Sequence, residues 1–139
     1  MSPVQWDWSQ HVVDHLEIHA SDYDESVRFY TTVLRPLGFP SWSEDTDVER
    51  ATCFTRVSIV ERLPATQGLH LCFIAASREK VDAFHTAGVE AGFVSNGAPG
   101  YRDGTPGYTP GYYAAFLLDP DGNNVEALYR DVGNPGHSG

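Results

Sequence analysis

His15-Leu16-Glu17-Ile18-His19-Ala20 recurs later in the chain as His70-Leu71-Cys72-Phe73-Ile74-Ala75. The likeness continues beyond each copy. The first leads into a helix-like stretch containing Val27-x-x-Tyr30 and closing at Gly38-Phe39; the second contains Val81-x-x-Phe84 and closes at Gly92-Phe93. A unit that occurs twice points to an internal duplication, since a solenoid needs at least about three stacked repeats.

Working outward, residues 12–20 alternate as a strand. Leu16 and Ile18 take one face and His15, Glu17 and His19 the other. Asp22 with Glu25 three residues on has capping-box spacing, so a helix is expected there, with Val27, Tyr30 and Leu34 as its apolar stripe and Pro36 and Gly38 as its end. Segments 40–47, 50–56 and 57–63 carry β-formers between polar turns and read as a meander. In the second unit, 69–75 is a strand and Ser77 an N-cap. The helix after it has the stripe Val81, Phe84, Val89 and Ala91, and it stops at Gly92. Residues 93–95 read as a short strand. Residues 96–111 hold five glycines and three prolines and read as a loop. Strands are expected at 112–118 and 124–129, separated by the turn Asp119-Pro120-Asp121-Gly122-Asn123. The order β-α-β-β-β, twice, is that of an α+β protein: first module 11–64, second module 68–130, loose tail 131–139.

The 139 residues favour one compact domain, 1–139, and 41% apolar residues suffice for a core. No run approaches the roughly 20 apolar residues of a membrane helix, and residues 1–10 show no signal-peptide pattern. Two cysteines, Cys53 and Cys72, without a secretory signal point to a reduced, cytoplasmic protein. The net charge of −10 disfavours nucleic acid and anionic membranes as partners, and serves mainly to keep the chain soluble. No G-x-S-x-G, P-loop or G-x-G-x-x-G occurs, so hydrolase-elbow, NTPase and dinucleotide readings lack support.

Three residues could carry chemistry. His15 and His70 occupy matching places in the two copies, and Glu126 comes just after the Asp-Pro-Asp-Gly-Asn turn. Two imidazoles and a carboxylate suit a divalent transition metal (Zn, Fe, Mn, Ni or Co), with positions left open for water or substrate. A strand histidine is ordinarily solvent-facing or hydrogen-bonded and a strand glutamate ordinarily exposed. Equivalent placement in a repeat makes coincidence less credible. By alternation, His70, Cys72 and Ile74 share a face, as do Asn124, Glu126 and Leu128.

Several motifs together resemble the vicinal-oxygen-chelate superfamily, which includes glyoxalases, bleomycin-resistance proteins and dioxygenases. They are Asp14-His15-Leu16-Glu17-Ile18 with Ser21-Asp22, Phe29-Tyr30, Leu37-Gly38-Phe39, Gly68-Leu69-His70-Leu71-Cys72-Phe73, and Gly111-Tyr112-Tyr113-Ala114-Ala115-Phe116 leading to Asp119-Pro120-Asp121-Gly122-Asn123-Asn124-Val125-Glu126. The resemblance spans residues 11–130. It implies paired βαβββ modules in a cup-shaped, half-open antiparallel barrel, with His15, His70 and Glu126 as metal ligands. It also implies a homodimer, at times with exchanged modules, in which case His15 meets His70 and Glu126 of a partner. Glyoxalase I proper has a fourth ligand in the last strand of module one, for which Glu61 is the nearest candidate. The fosfomycin-transferase pattern and the two-domain length of extradiol dioxygenases are absent.

Glu17 and His19 share the His15 face. Glu17, beside Glu126, is a candidate catalytic carboxylate, and His19 a substrate contact. Tyr101 and Tyr108 lie in the 96–111 segment, which could act as a lid. Tyr112 and Tyr113 open a strand, so one of them must face the cleft. All four tyrosines are candidate substrate contacts. Cys72 reads as a small filler, and His11, His85 and His137 as surface residues. Two functions fit these features. One is a metal-dependent isomerase, lyase or dioxygenase acting on a small molecule chelated through oxygens. The other is a non-catalytic cup sequestering an antibiotic or aromatic ligand, for which Trp6, Trp8 and Trp42 would supply surface.

Overall fold

The computed structural model describes residues 12–131. Trp6, Trp8, His11, His137 and the tail from 132 onward lie outside the described residues. The elements are β1 (Leu16–Ala20), α1 (Tyr23–Leu34), a 3₁₀ turn (Arg35–Leu37), β2 (Ser41–Ser43), β3 (Ala51–Phe54), β4 (Val57–Glu61), β5 (His70–Ile74), α2 (Arg78–Glu90), β6 (Val94–Tyr101), β7 (Tyr112–Leu118) and β8 (Asn124–Arg130). They form two four-stranded sheets, β1-β4-β3-β2 and β5-β8-β7-β6. The class is α+β, and each sheet is an open half-barrel.

Pairing is mixed. β1 runs parallel to β4 and β5 parallel to β8, and the remaining pairs are antiparallel. The parallel pairs arise from the connection, because a helix and two strands carry the chain back to the first strand's side. The two modules match in register. Leu16 faces Val57 in one sheet as Leu71 faces Val125 in the other.

Local chemistry explains the helices. Asp22 accepts from the Glu25 backbone N–H at 3.2 Å, whereas the Glu25 side chain pairs with Arg28 and leaves the capping box half made. Ser77 accepts from the Lys80 N–H at 3.2 Å. In α2 the core residues are Val81, Phe84 and Gly88; Val89, expected in the stripe, is exposed. Pro36 sits inside the 3₁₀ turn, and Gly38 (φ 86°) makes the stop in the left-handed region that glycine tolerates.

One core joins the modules. Ile18, Val57 and Ile59 of the first sheet belong to the same cluster as Phe73, Ala115, Leu117, Val125 and Ala127 of the second, with Phe29, Val33, Val81 and Phe84 of the helices. Phe29 meets Tyr30 and Phe93 edge-on at 4.8 and 5.0 Å between ring centres. Arg28 bridges the modules, donating to the Ala91 carbonyl at the end of α2 while its guanidinium lies 4.2 Å from the Phe93 ring centre. No described helix is long and apolar enough to cross a membrane.

Two expected boundaries are corrected. β1 begins at Leu16 rather than Val12, because Val12 to His15 find no partner strand. β6 reaches into the segment read as a loop, covering Asn96 to Tyr101. Gly97, Pro99 and Gly100 are poor strand formers, but β6 is an edge strand. Pro99 therefore need not donate to the ladder, and the register slips at Gly97 and Gly100.

The β7–β8 turn holds a buried polar knot. The Asp119 carboxylate accepts from the Tyr30 hydroxyl at 2.7 Å, from the backbone N–H groups of Asp121 and Asn123 at 2.9 Å each, and from the Asn123 side chain at 3.0 Å. The Asn123 amide also donates to the Thr66 carbonyl at 2.8 Å and accepts from Leu69 N–H at 3.0 Å. Asp121 accepts from the Ser21 backbone N–H just before α1, at 3.1 Å. Removing the Asp119 carboxylate leaves several buried donors without a partner. Asp119→Ala is therefore expected to lower unfolding stability by about 3 kcal/mol, and Asp121→Ala, at the surface, by less than about 1 kcal/mol. Denaturant midpoints at unchanged slope measure both; equal costs would refute this account of the turn.

Candidate functional site

Each sheet turns one face to the shared core and the other outward. Alternation along β8 buries Val125 and Ala127 in the core and sends Glu126, Leu128 and Arg130 to the outer face. Across the ladder, Glu126 stands opposite Phe116 on β7 and Cys72 on β5, and Arg130 opposite Tyr112. Ala114, Phe116 and Leu128 form a small separate cluster there, with Tyr112 against it.

Glu126 is the centre of this face. Its side chain is only 1% exposed. Oε1 lies 2.8 Å from His70 Nε2, and Oε2 accepts a hydrogen bond from the Tyr112 hydroxyl. His70 is 55% exposed and lies 6.2 Å from the Phe116 ring centre, so its imidazole reaches the carboxylate from the solvent side. Tyr108 meets Tyr112 edge-on at 4.8 Å. Burial, and after it the hydrogen bond to Glu126, raises the Tyr112 phenol well above its ordinary value.

The other named residues fall elsewhere. His15 precedes β1, is 78% exposed and pairs with Asp14 at 2.9 Å. Glu17 and His19 lie on the outer face of the first sheet, joined at 2.8 Å from Glu17 Oε2 to His19 Nε2, with Arg62 donating to Glu17 at 3.2 Å. Among the described residues, no three of the His, Cys, Asp and Glu side chains gather closely enough to hold a metal. His70 and Glu126 come together; His15 and Glu17 do not join them. The reason is architectural. The modules meet through their apolar faces and through α1 against α2, so the polar faces of the two sheets lie on the outside of one core.

The tyrosines divide by alternation. Tyr112 and Tyr108 line the Glu126 face. Tyr113 and Tyr101 pair across β7 and β6 on the helix side instead. The Tyr113 hydroxyl donates to Asp82 of α2 at 2.6 Å, and Tyr101 donates to Asp131 at 2.8 Å while accepting from Arg78 at 3.1 Å. Both brace α2 and the end of β8, away from Glu126. Register also settles Glu61. The position of β4 that matches Glu126 is Ser58, opposite Glu17 as Glu126 is opposite Cys72, and Glu61 pairs with Arg50 at 2.6 Å.

Phe116, Arg130 and Arg102 belong to this face although sequence reasoning does not single them out. Arg130 is within reach of the sequence: it continues the alternation Asn124, Glu126, Leu128 by one step beyond the expected strand end. Arg102 is not, because it depends on β6 being a strand.

The fold and the motifs meet in the comparisons with known proteins. Residues 12–127 match the model of the Glyoxalase/Bleomycin resistance protein/Dioxygenase superfamily. A glyoxalase/bleomycin resistance protein from Albidiferax ferrireducens T118 is 30% identical over 86% of this chain and 99% of its own, with a TM-score of 0.66. A virulence protein from Salmonella typhimurium is 25% identical, covering 86% and 97% of the two chains at a TM-score of 0.58. A family enzyme from Burkholderia phytofirmans PsJN, at 19% identity over 84% and 97%, shares the fold at a TM-score of 0.63. No curated protein matches the chain. The chain belongs to the Glyoxalase/Bleomycin resistance protein/Dioxygenase superfamily.

The helix-side tyrosines yield a test. Loss of solvent and the hydrogen bond to Asp82 push the Tyr113 phenol from 10.0 up to about 12. The folded state thus favours the neutral phenol, so this contribution is fully present below about pH 10 and is lost as pH rises towards about 12. Denaturant midpoints across that window should fall less steeply in Tyr113→Phe than in wild type; identical slopes would show that the phenol is not held by the fold.

Proposed function

We propose that this chain is a metal-dependent enzyme of the glyoxalase type, acting as an isomerase, lyase or dioxygenase on a small organic molecule bound through oxygens. The observation that carries the reading is the 2.8 Å approach of His70 Nε2 to the buried Glu126 Oε1. A nitrogen and a carboxylate oxygen from two strands converge there on the outer face of a sheet, with His70 on the solvent side. That donor pair fits a divalent transition metal but is incomplete within one chain. His15, exposed at the start of the other module, is the third donor if it is supplied by a second copy of the chain. When bound, the metal would polarise a substrate oxygen and stabilise developing negative charge.

The chain's own groups have defined tasks in this reading. Glu126 holds His70 in orientation, and Tyr112 fixes the second carboxylate oxygen. Phe116, Ala114 and Leu128 wall the carboxylate from water on the outer face. Glu17 and His19, as a hydrogen-bonded pair, would approach from the other copy's first sheet and serve as proton acceptor and substrate contact.

The alternative is a metal-free cup for an aromatic or antibiotic-like ligand. It draws on the cleft of about 260 Å³ beside Leu128 and Ile74. Elemental analysis separates the two. About one divalent metal per chain, lost in Glu126→Ala, supports the enzyme; no metal in either after reconstitution with Zn, Fe, Mn, Ni or Co would remove it. Exchange of modules has its own signature. His15→Ala and His70→Ala proteins should each lose metal, yet unfolding and refolding them together should restore metal to part of the sample. No recovery on mixing would exclude a site shared between copies.

A further inference from the structure

The Glu126 face carries two cations that the metal reading leaves without a task. Arg130 lies with its guanidinium 5.3 Å from the Tyr112 ring centre and donates to Thr109 Oγ1 at 2.8 Å. Arg102 lies 5.4 Å from the Phe116 ring centre and donates to the Ala98 carbonyl at 2.7 Å. Neither forms an ion pair with a carboxylate among the described residues. Arg28, Arg50, Arg56 and Arg62 are ion-paired, and among the described residues Arg35 and Arg78, like these two, are not. Arg102 and Arg130 are set apart by lying over rings of one face, Phe116 and Tyr112, and that placement has a physical reason.

Their surroundings supply it. Arg130 lines the cleft of about 260 Å³ together with Ile74, Ala75, Ala76, Leu128 and Tyr129. Leu128 is two residues from Glu126 on the same face and stands opposite both Ile74 and Ala114. The cleft is therefore largely apolar, with one cation in its lining. Arg102 lies in a trough made by missing side chains. A Cβ on Gly97 would come within 2.9 Å of Phe116 Cδ2 and 3.4 Å of Arg102 Nη2, and one on Gly100 within 3.3 Å of Arg102 Nη1. The two glycines that disturb β6 are what let this guanidinium lie over Phe116.

We propose that this face selects a small organic monoanion, a carboxylate on an apolar body, with Arg130 as its anchor. This rests on the reading of the Glu126 face as the ligand site. A guanidinium has five donors in a planar fork that matches a carboxylate. A resting position on an aromatic ring keeps the group ordered without neutralising it. In the metal-free protein a single charge is favoured over two, because the Glu126 carboxylate on the same face repels a dianion more strongly. The apolar walls take the body of the ligand.

The test is titration of the full chain, stripped of metal by a chelator after its metal content is measured, with benzoate, benzamide and phenylphosphonate, monitored by amide NMR shifts. Benzoate should move the resonances of Ile74, Leu128 and Arg130, and bind about tenfold more tightly than benzamide. Arg130→Gln should lose about tenfold towards benzoate and little towards benzamide; Arg102→Gln should lose less, and phenylphosphonate should bind more weakly than benzoate. The spectra themselves report whether the variants are folded. Equal binding of benzoate and benzamide, no binding of any probe, indifference to Arg130→Gln, or preference for the phosphonate would each overturn the proposal. Metal content of the same samples before stripping keeps the two readings apart. Metal without carboxylate preference sinks only this inference, and arginine-dependent benzoate binding by a chain that held no metal sinks only the enzyme reading.

Discussion

A buried carboxylate, Asp119, is the constraint on which the rest of this structure depends. Its oxygens draw together the hydroxyl of Tyr30 from the first module and the backbone and side chain of the turn that opens β8. The chain of bonds continues through Asn123 to Thr66, and from Thr66 to both backbone groups of His19 in β1. An ionised group taken out of water is tolerated only when its oxygens are fully engaged. The knot engages both oxygens of Asp119 in this way. It fixes the start of β8, and with it which residues of that strand face outward. Because the side-chain period of a strand is two, a slip of one residue would turn Glu126 into the apolar core and Val125 out of it.

Most of the framework is legible in the sequence because it is written in short-range chemistry. Asp22 and Ser77 cap their helices through their own side chains, and Asp119 to Asn123 turn through theirs; none of these needs a distant partner to be recognised. The duplicated His-Leu motif reveals equivalent positions. What it cannot reveal is distance. His15 and His70 correspond by sequence, yet the modules join by burying their apolar sides, which carries the corresponding polar sides apart. The same limit explains the tyrosines. Alternation requires that Tyr112 and Tyr113 diverge, but which of them meets Glu126 depends on the pairing of β7 with β8. β6 escapes sequence reasoning for a different reason. Its glycines and proline argue against a strand taken alone, and only the neighbouring β7 makes them acceptable.

The Glu126 face shows how one strand parity can serve two purposes. On β7, Tyr113, Ala115 and Leu117 pack inward, and Tyr112, Ala114 and Phe116 point out. The inward set supplies rigidity, with Tyr113 tied to α2 through Asp82. The outward set supplies the walls around a carboxylate that is almost wholly shielded although it lies on the outer side of the sheet. Shielding strengthens every electrostatic contact that Glu126 makes, since little water competes for its oxygens. His70, more exposed, is the part of the pair that solvent meets.

β6 has a bearing on how copies of this molecule can meet. A free sheet edge is a template for another strand, and long regular edges invite uncontrolled stacking of sheets. Here the edge holds a proline that cannot donate and two slips of register at glycines, so an incoming strand would find its bonding pattern interrupted. The same residues that make room for Arg102 thus discourage growth along the sheet. Association that buries the outer faces stays open, and association that prolongs the second sheet at β6 is hindered.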